Sequence, residues 1–246
     1  TIFSCMHFTT AISTIENDRE IIRGTPLEEL VKTKTFLENA VFVIKGNFPT
    51  PQELIVLNAV FSAAIDHGVG APSTTVARIA ASTGNSLHTA LAAGILTMGD
   101  LHGSAIEGAA RFFSERRVSS ATTVVSLCKA QKMKIPGFGH KVLAKDHRAV
   151  QLVSIAREQG TYGAACTFAE EVEKELNAVS SKPLPLNIDG AMAAVLLDLG
   201  FSPDVMKGLF IFARLPGLIA HAVEQARSGE GIKRLSAEEE IYMGKS

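Results

Sequence analysis

Two imidazoles and a carboxylate stand in short glycine-bearing segments of this chain: Gly99-Asp100-Leu101-His102-Gly103, Pro136-Gly137-Phe138-Gly139-His140 and Asn187-Ile188-Asp189-Gly190. Brought together by folding, two imidazoles and a carboxylate can move protons at a carbon next to a carbonyl. A further imidazole, His67, lies in Asp66-His67-Gly68.

Each segment also has a plainer reading. His102 precedes a helix expected from near Gly103, whose N-terminus would disfavour imidazolium and leave a neutral ring able to donate to a developing oxyanion. A histidine closing a buried turn fits equally. His140 ends a run whose two glycines would let backbone approach a ligand and aim N–H groups at it, or would simply make a turn. Lys141, Lys145, His147 and Arg148 make the following stretch cationic, suited to phosphate or carboxylate. Asp189 is a first-turn carboxylate behind an Asn187 N-cap, favoured there by the helix dipole alone. Its functional reading is a carboxylate at the edge of an apolar core, aimed at a carbon acid. Arg214, in Phe210-Ile211-Phe212-Ala213-Arg214-Leu215-Pro216-Gly217, is a lone cation in an apolar run. Burying it demands an anion, from the protein or from a substrate. Arg234 lies in a polar tail, and His88, His147 and His221 read as structural.

The elements that must position these residues are helical. Residues 8–23 alternate weakly towards Arg23-Gly24 and predict a short extended segment or hairpin. Thr25-Pro26-Leu27-Glu28 predicts a helix with Thr25 as N-cap and Pro26 at N1, and Thr50-Pro51-Gln52-Glu53 predicts another. Helical spacing then continues at about 72–83, 86–97, 103–116, 119–131, 146–159, 163–178, 187–199 and 203–228. Runs such as Ala90-Leu91-Ala92-Ala93-Gly94-Ile95-Leu96 are apolar on nearly every side and predict central burial. The expectation is an all-α globule with a short N-terminal β segment. It is read as one catalytic unit over 1–246 with a smaller helical subdomain around 105–200.

Composition narrows the classes. With 46% hydrophobic residues the 246-residue chain can bury a sizeable core. Its 24 basic and 25 acidic residues, without a basic block, argue against nucleic acid or an anionic membrane as partner. Cys5, Cys128 and Cys166 form no CxxC and no metal-site spacing, so they read as reduced thiols of a cytoplasmic protein, with no metal. No apolar run is expected to approach the ~20 residues that span a bilayer, and the N-terminus shows no signal-peptide pattern.

Read in order, the segments resemble the citrate synthase superfamily, and within it the citryl-CoA lyases and the C-terminal citryl-CoA lyase module of ATP-citrate lyase. The resemblance rests on residues 11–50, on DHGVGAPSTTVARIAASTG (66–84), GDLHGSAIEGAA (99–110), IPGFGHKVLAKDHRA (135–149), LNIDG (186–190) and FARLPGLIAHAVEQ (212–225). Met98-Gly99-Asp100 before Leu-His-Gly and the Asn-Ile-Asp-Gly variant are similar to the lyases rather than the synthases. His102 stands where the animal lyase module has Phe, and His140 to Arg148 is one residue shorter than in typical synthases.

The resemblance implies cleavage of citryl-CoA to acetyl-CoA and oxaloacetate by a retro-Claisen reaction, with no cofactor beyond the CoA thioester itself. It implies His102, His140 and Asp189 as catalytic residues, and His67, Arg148, Phe210, Arg214 and Arg234 as ligands of the oxaloacetate portion. Ile135, Pro136, Gly137, Phe138, Gly139 and Lys141 are implied at the CoA nucleotide. A homo-oligomer, dimer or higher, with Arg234 completing a neighbour's site, and a citryl-CoA synthetase as partner are further implications, as is a place in the reductive TCA cycle. A short citrate or 2-methylcitrate synthase, and a non-catalytic CoA-ester-binding helical module, are the alternatives.

Overall fold

The computed structural model describes residues 7–103, 105–139 and 145–244. The chain divides into two compact units, Thr1–Asn58 and Ala59–Ser246.

In the first unit, strands β1 (Ser13–Glu16) and β2 (Arg19–Ile22) form the expected hairpin. Asn17 and Asp18, both at positive φ (50° and 62°), make a two-residue turn whose twist suits paired strands. A two-residue β3 (Thr25–Pro26) adds to β2, with Thr25 opposite Ile22. That pairing overturns Thr25 as N-cap: Pro26 takes the cap position of α1 (Leu27–Thr33), without a side-chain bond. A full capping box between Thr35 and Glu38, absent from the sequence expectation, opens α2 (Phe36–Lys45), which Gly46 ends in the left-handed conformation. Arg23 donates from Nε and Nη2 to the Val43 carbonyl, tying the hairpin to α2. Helix α3 (Pro51–Ala63) runs across the division, and Thr50 and Glu53 cap it reciprocally, as the sequence predicted.

The second unit holds α4 (Pro72–Ser82), α5 (Leu87–Leu96), α6 (Ala105–Arg116), α7 (Ala121–Ala130), α8 (His147–Glu158), α9 (Ala164–Val179), α10 (Ile188–Asp198) and α11 (Met206–Arg227). Their ends fall within about three residues of the expected ones, because Pro, Gly and capping side chains punctuate the chain where the apolar spacing changes. Helices α4, α5 and α11 pack together. Helix α10 lies at the centre of a second group, against α6, α8 and α9, and every residue from Gly190 to Leu196 is buried. A helix buried all round has no room for a polar face, which explains why its apolar run shows no stripe.

The helical stretch Pro203–Arg227 corrects the expectation that no segment has the length and hydropathy to cross a membrane. Its apolar residues have another use here. Met206, Leu209 and Leu218 are at most 2% exposed, and α11 packs on α4, α5 and α6.

Candidate active site

A cavity of about 450 Å³ in the second unit is lined by His67, His102, Asp146, Arg148, Asp189 and Arg214, with Phe210 and Met192 as apolar wall. Seven sequence-predicted residues therefore share one space: His67, His102, Gly139, Arg148, Asp189, Phe210 and Arg214. His140 and Lys141 lie outside the described residues.

His102 is fixed from an unexpected direction. Its Nε2 accepts the backbone N–H of Ser73 at 3.2 Å and lies 2.9 Å from the Ser73 hydroxyl. Ser73 occupies the first turn of α4, after Pro72. The N-terminus that disfavours imidazolium is thus that of α4, 29 residues upstream, not that of the helix following His102. An Nε2 that accepts must leave its proton on Nδ1, which is then a donor. Burial pushes the His102 pKa down, and the neighbouring Arg214 and His67 add to this. The shift favours the neutral ring, whose Nδ1–H is then available to donate.

Asp189 stands in the first turn of α10, where Asn187 is the N-cap, its Oδ1 taking the Gly190 N–H at 3.0 Å. Burial raises its pKa, against the pull of Arg148, Arg214 and His67 and with help from Asp146. Desolvation wins, so this carboxyl keeps its proton more readily than an ordinary Asp.

The glycine-rich run is stapled to the same helix start. The Asn187 N–H donates to the Gly137 carbonyl (3.0 Å), Gly139 N–H to the Pro185 carbonyl (2.8 Å) and Asn187 Nδ2 to the Gly139 carbonyl (3.1 Å). Phe138 and Leu186 form an antiparallel bridge. A Cβ on Gly137 would come within 2.8 Å of the Gly190 Cα. These glycines therefore let two backbones touch, as a structural turn requires, and the Gly139 N–H is taken by the Pro185 carbonyl. Beside this run lies a cavity of about 580 Å³, lined by Ile135, Phe138, Gly139, Cys128 and Leu184, with Lys129 and Lys134 also in its wall. Pro136 is half-buried near Gly108.

Two arginines face the first cavity in different states. Arg148 pairs with Asp146 through Nε (3.1 Å) and Nη2 (3.0 Å) and keeps 37% of its side chain exposed. Arg214 is only 5% exposed. It donates from Nε to the Ala64 carbonyl (2.6 Å) and lies over the Phe210 ring. Burial pushes its pKa down, opposed by Asp66 and Asp189, but a guanidinium stays charged. Among the described residues no carboxylate forms an ion pair with Arg214, so of the two readings of this buried cation the internal ion pair is not the one found. The turn carrying His67 is set by Asp66, which accepts from Gly68 N–H (3.1 Å) and meets His221 Nε2 at 3.2 Å. His221 is linked onward to Arg78.

Arg234 is not brought to this cavity. It is exposed in the C-terminal tail and lines a separate hollow with Val69, Arg78 and Ile79. Sequence reasoning missed Asp146 and Ser73. Asp146 lies at the start of the helix expected over 146–159, and Ser73 within the one expected from 72, and neither position marks its partner. Among the described residues no three His, Cys, Asp or Glu side chains gather as a metal site. Cys128 and Cys166 are free and buried.

The helical unit that carries these groups is that of a known family. Residues 54–235 match the family described as citrate synthase, C-terminal domain, and the chain belongs to it. The chain is similar to the citryl-CoA lyase of Hydrogenobacter thermophilus, at 38% identity and a TM-score of 0.92, over 97% of this chain and 95% of that one. It is similar to the ATP citrate lyase of Methanothrix soehngenii solved with citrate and coenzyme A, at 27% identity and a TM-score of 0.86, covering 100% of this chain and 43% of that one. Citrate synthase 2 of Bacillus subtilis is 31% identical over 192 residues, 76% of this chain and 51% of that protein. The chain spans about half or less of the length of the curated relatives it matches.

Proposed function

We propose that the chain cleaves citryl-CoA to acetyl-CoA and oxaloacetate. The observation that carries the reading is the pairing, in one cavity, of a carboxyl whose pKa burial raises with an imidazole whose pKa burial lowers and whose Nε2 accepts the Ser73 amide. Cleavage breaks the bond between the acetyl carbon and the hydroxyl-bearing carbon. The hydroxyl loses its proton as the oxaloacetate carbonyl forms, a task for which the family resemblance implies His140. The bond's electron pair moves into the thioester, and Nδ1–H of neutral His102 donates to the enolate oxygen. Protonated Asp189 then gives its proton to the acetyl carbon, and the thioester stays intact.

Arg148 and Arg214 suit the two carboxylates of the oxaloacetate portion, since each presents a planar fork. Phe210 backs Arg214, and His67, an exposed residue of the same lining, suits the carbonyl. The apolar cavity beside Ile135, Phe138 and Gly139, with its two lysines, suits the nucleotide end of CoA. The named lyase from Hydrogenobacter thermophilus, matched over nearly its whole length, supports this reading.

Likeness to Citrate synthase 2 favours one second reading, the same residues run in the condensing direction. One assay separates the two. Purified chain is offered citryl-CoA, and separately acetyl-CoA with oxaloacetate, while oxaloacetate and free thiol are followed. Cleavage yields oxaloacetate and no thiol. Rapid thiol release from the second mixture, with little cleavage in the first, identifies a synthase, and binding with turnover of neither leaves a CoA-ester-binding module. A working form of at least a dimer, with Arg234 reaching a neighbour's cavity, belongs to the same proposal. A fully active monomer at micromolar concentration would refute it.

A further inference from the structure

Asp146 is a buried carboxylate with an unusual set of obligations. Its side chain is 1% exposed. One oxygen accepts the Arg148 backbone N–H and Nε, both at 3.1 Å; the other accepts Arg148 Nη2 and the backbone N–H of Ile188, both at 3.0 Å. Its role as N-cap of α8 uses only the first of these bonds. A cap needs no burial, and an ordinary cap reaches its own helix rather than another one. Burying a carboxylate is costly unless every lone pair is occupied. Here the bonds win: burial alone would push the Asp146 pKa up, and Arg148 with the two amides holds it below the usual range.

We propose that Asp146 is a positioning residue, which locks the Arg148 guanidinium on α8 to the first residue of α10 and so sets the substrate-binding cation and Asp189 in one fixed geometry. Ile188 immediately precedes Asp189, and α10 is buried on all sides, so a shift at its first amide carries the carboxyl with it. The Arg148 fork can then meet a substrate carboxylate only along the edge left free by Asp146, which orients the substrate carbon towards Asp189. The inference rests on the proposed cleavage and deepens it.

Asp146 also sets the charge around Asp189. Among the described residues, the charged groups that act on that carboxyl are Arg148 from α8, Arg214 from α11, His67 from the turn before α4, and Asp146, which favours its protonated form; His102 lines the same cavity. Removing the Asp146 charge moves the Asp189 pKa down; removing the Arg148 charge moves it up. In the cleavage direction Asp189 must be protonated, so activity is lost as pH rises through its pKa.

The test is Asp146→Asn, which retains a good N-cap, measured alone and with Arg148→Gln. Asp146→Ser, also a good cap, replaces it if the Asn variant does not fold. We expect a folded protein with kcat/KM for citryl-CoA about 10²-fold lower, the scale of a small misplacement of a positioned group. The alkaline limb of its pH profile moves to lower pH, and that of Arg148→Gln to higher pH. In the Arg148→Gln background the Asp146 substitution costs well below its single-variant effect, about tenfold or less, because one of the two partners it joins is already gone. Losses that multiply in the double variant, or an alkaline limb that stays in place, would make Asp146 a plain helix cap and overturn the inference. Wild-type protein inert towards citryl-CoA removes the functional reading and the inference with it; an active wild type with an equally active Asp146→Asn removes the inference alone.

Discussion

The two walls of the main cavity reach the same protonation logic by opposite means. On the α10 side, Asp189 is displaced from its usual pKa mainly by loss of water, in front of a helix buried from Gly190 to Leu196. On the α4–α11 side, His102 is also desolvated, but it is fixed by a directed bond from the Ser73 amide at the positive end of α4. The arginines differ in the same way. Arg148 is half in water and answered by a carboxylate, whereas Arg214 is buried and answered by a carbonyl. Burial shifts both the acid and the imidazole towards their neutral forms, and for His102 the Ser73 amide decides which nitrogen accepts.

Four substitutions press on that contrast. The largest effect belongs to Asp189. If Asp189→Asn folds and loses on the order of 10²–10⁴ in citryl-CoA turnover, the carboxyl is the proton donor; near-normal turnover with unchanged melting would reduce it to a helix-start charge. Its stability has a defined sign. A carboxyl with a raised folded pKa contributes stability that is complete below its unfolded value and lost as pH rises through the folded one. Asp189→Asn should therefore melt above wild type at pH 8, with the gap closing towards pH 4, as thermal unfolding across that range will show.

Removing the buried cation comes next. Arg214→Leu should raise the KM for citryl-CoA by on the order of 10²-fold, in line with losing a desolvated charge pair of about 3 kcal/mol. An unchanged KM would mean that the buried guanidinium binds only the Ala64 carbonyl. Gly190→Ala tests the backbone contact instead of the chemistry. The added methyl meets the Gly137 carbonyl oxygen, so chemical denaturation should show a loss of about 3 kcal/mol. A neutral result would mean that the 135–139 run yields without cost.

The smallest change is Ser73→Ala, which keeps the amide bond to His102 and deletes the hydroxyl. We expect about a fivefold fall in turnover, the worth of roughly 1 kcal/mol. A fall beyond 10²-fold would assign the tautomer to the hydroxyl, not to the helix terminus.

The sequence by itself determined the helices and the cast of chemical groups. Local signals suffice where the cause is local: Asn187 caps α10 three residues ahead of the amide it serves, Thr50 and Glu53 cap each other, and proline and glycine end the runs between them. His67, His102, Arg148, Asp189, Phe210 and Arg214 could be chosen because their types and glycine-bearing neighbours are visible along the chain. Tertiary structure decided everything that depends on partners remote in sequence. It chose Ser73 for His102 across 29 residues, Ala64 for Arg214 across 150, and Ile188 for Asp146 across 42. It set Gly137 against Gly190, and kept Arg234 away from the cavity. Caps and periodicity are set by bonds within one or two helical turns, which spacing encodes. Desolvation and tautomer are set by whichever groups the packed helices bring into contact, and spacing carries no record of those.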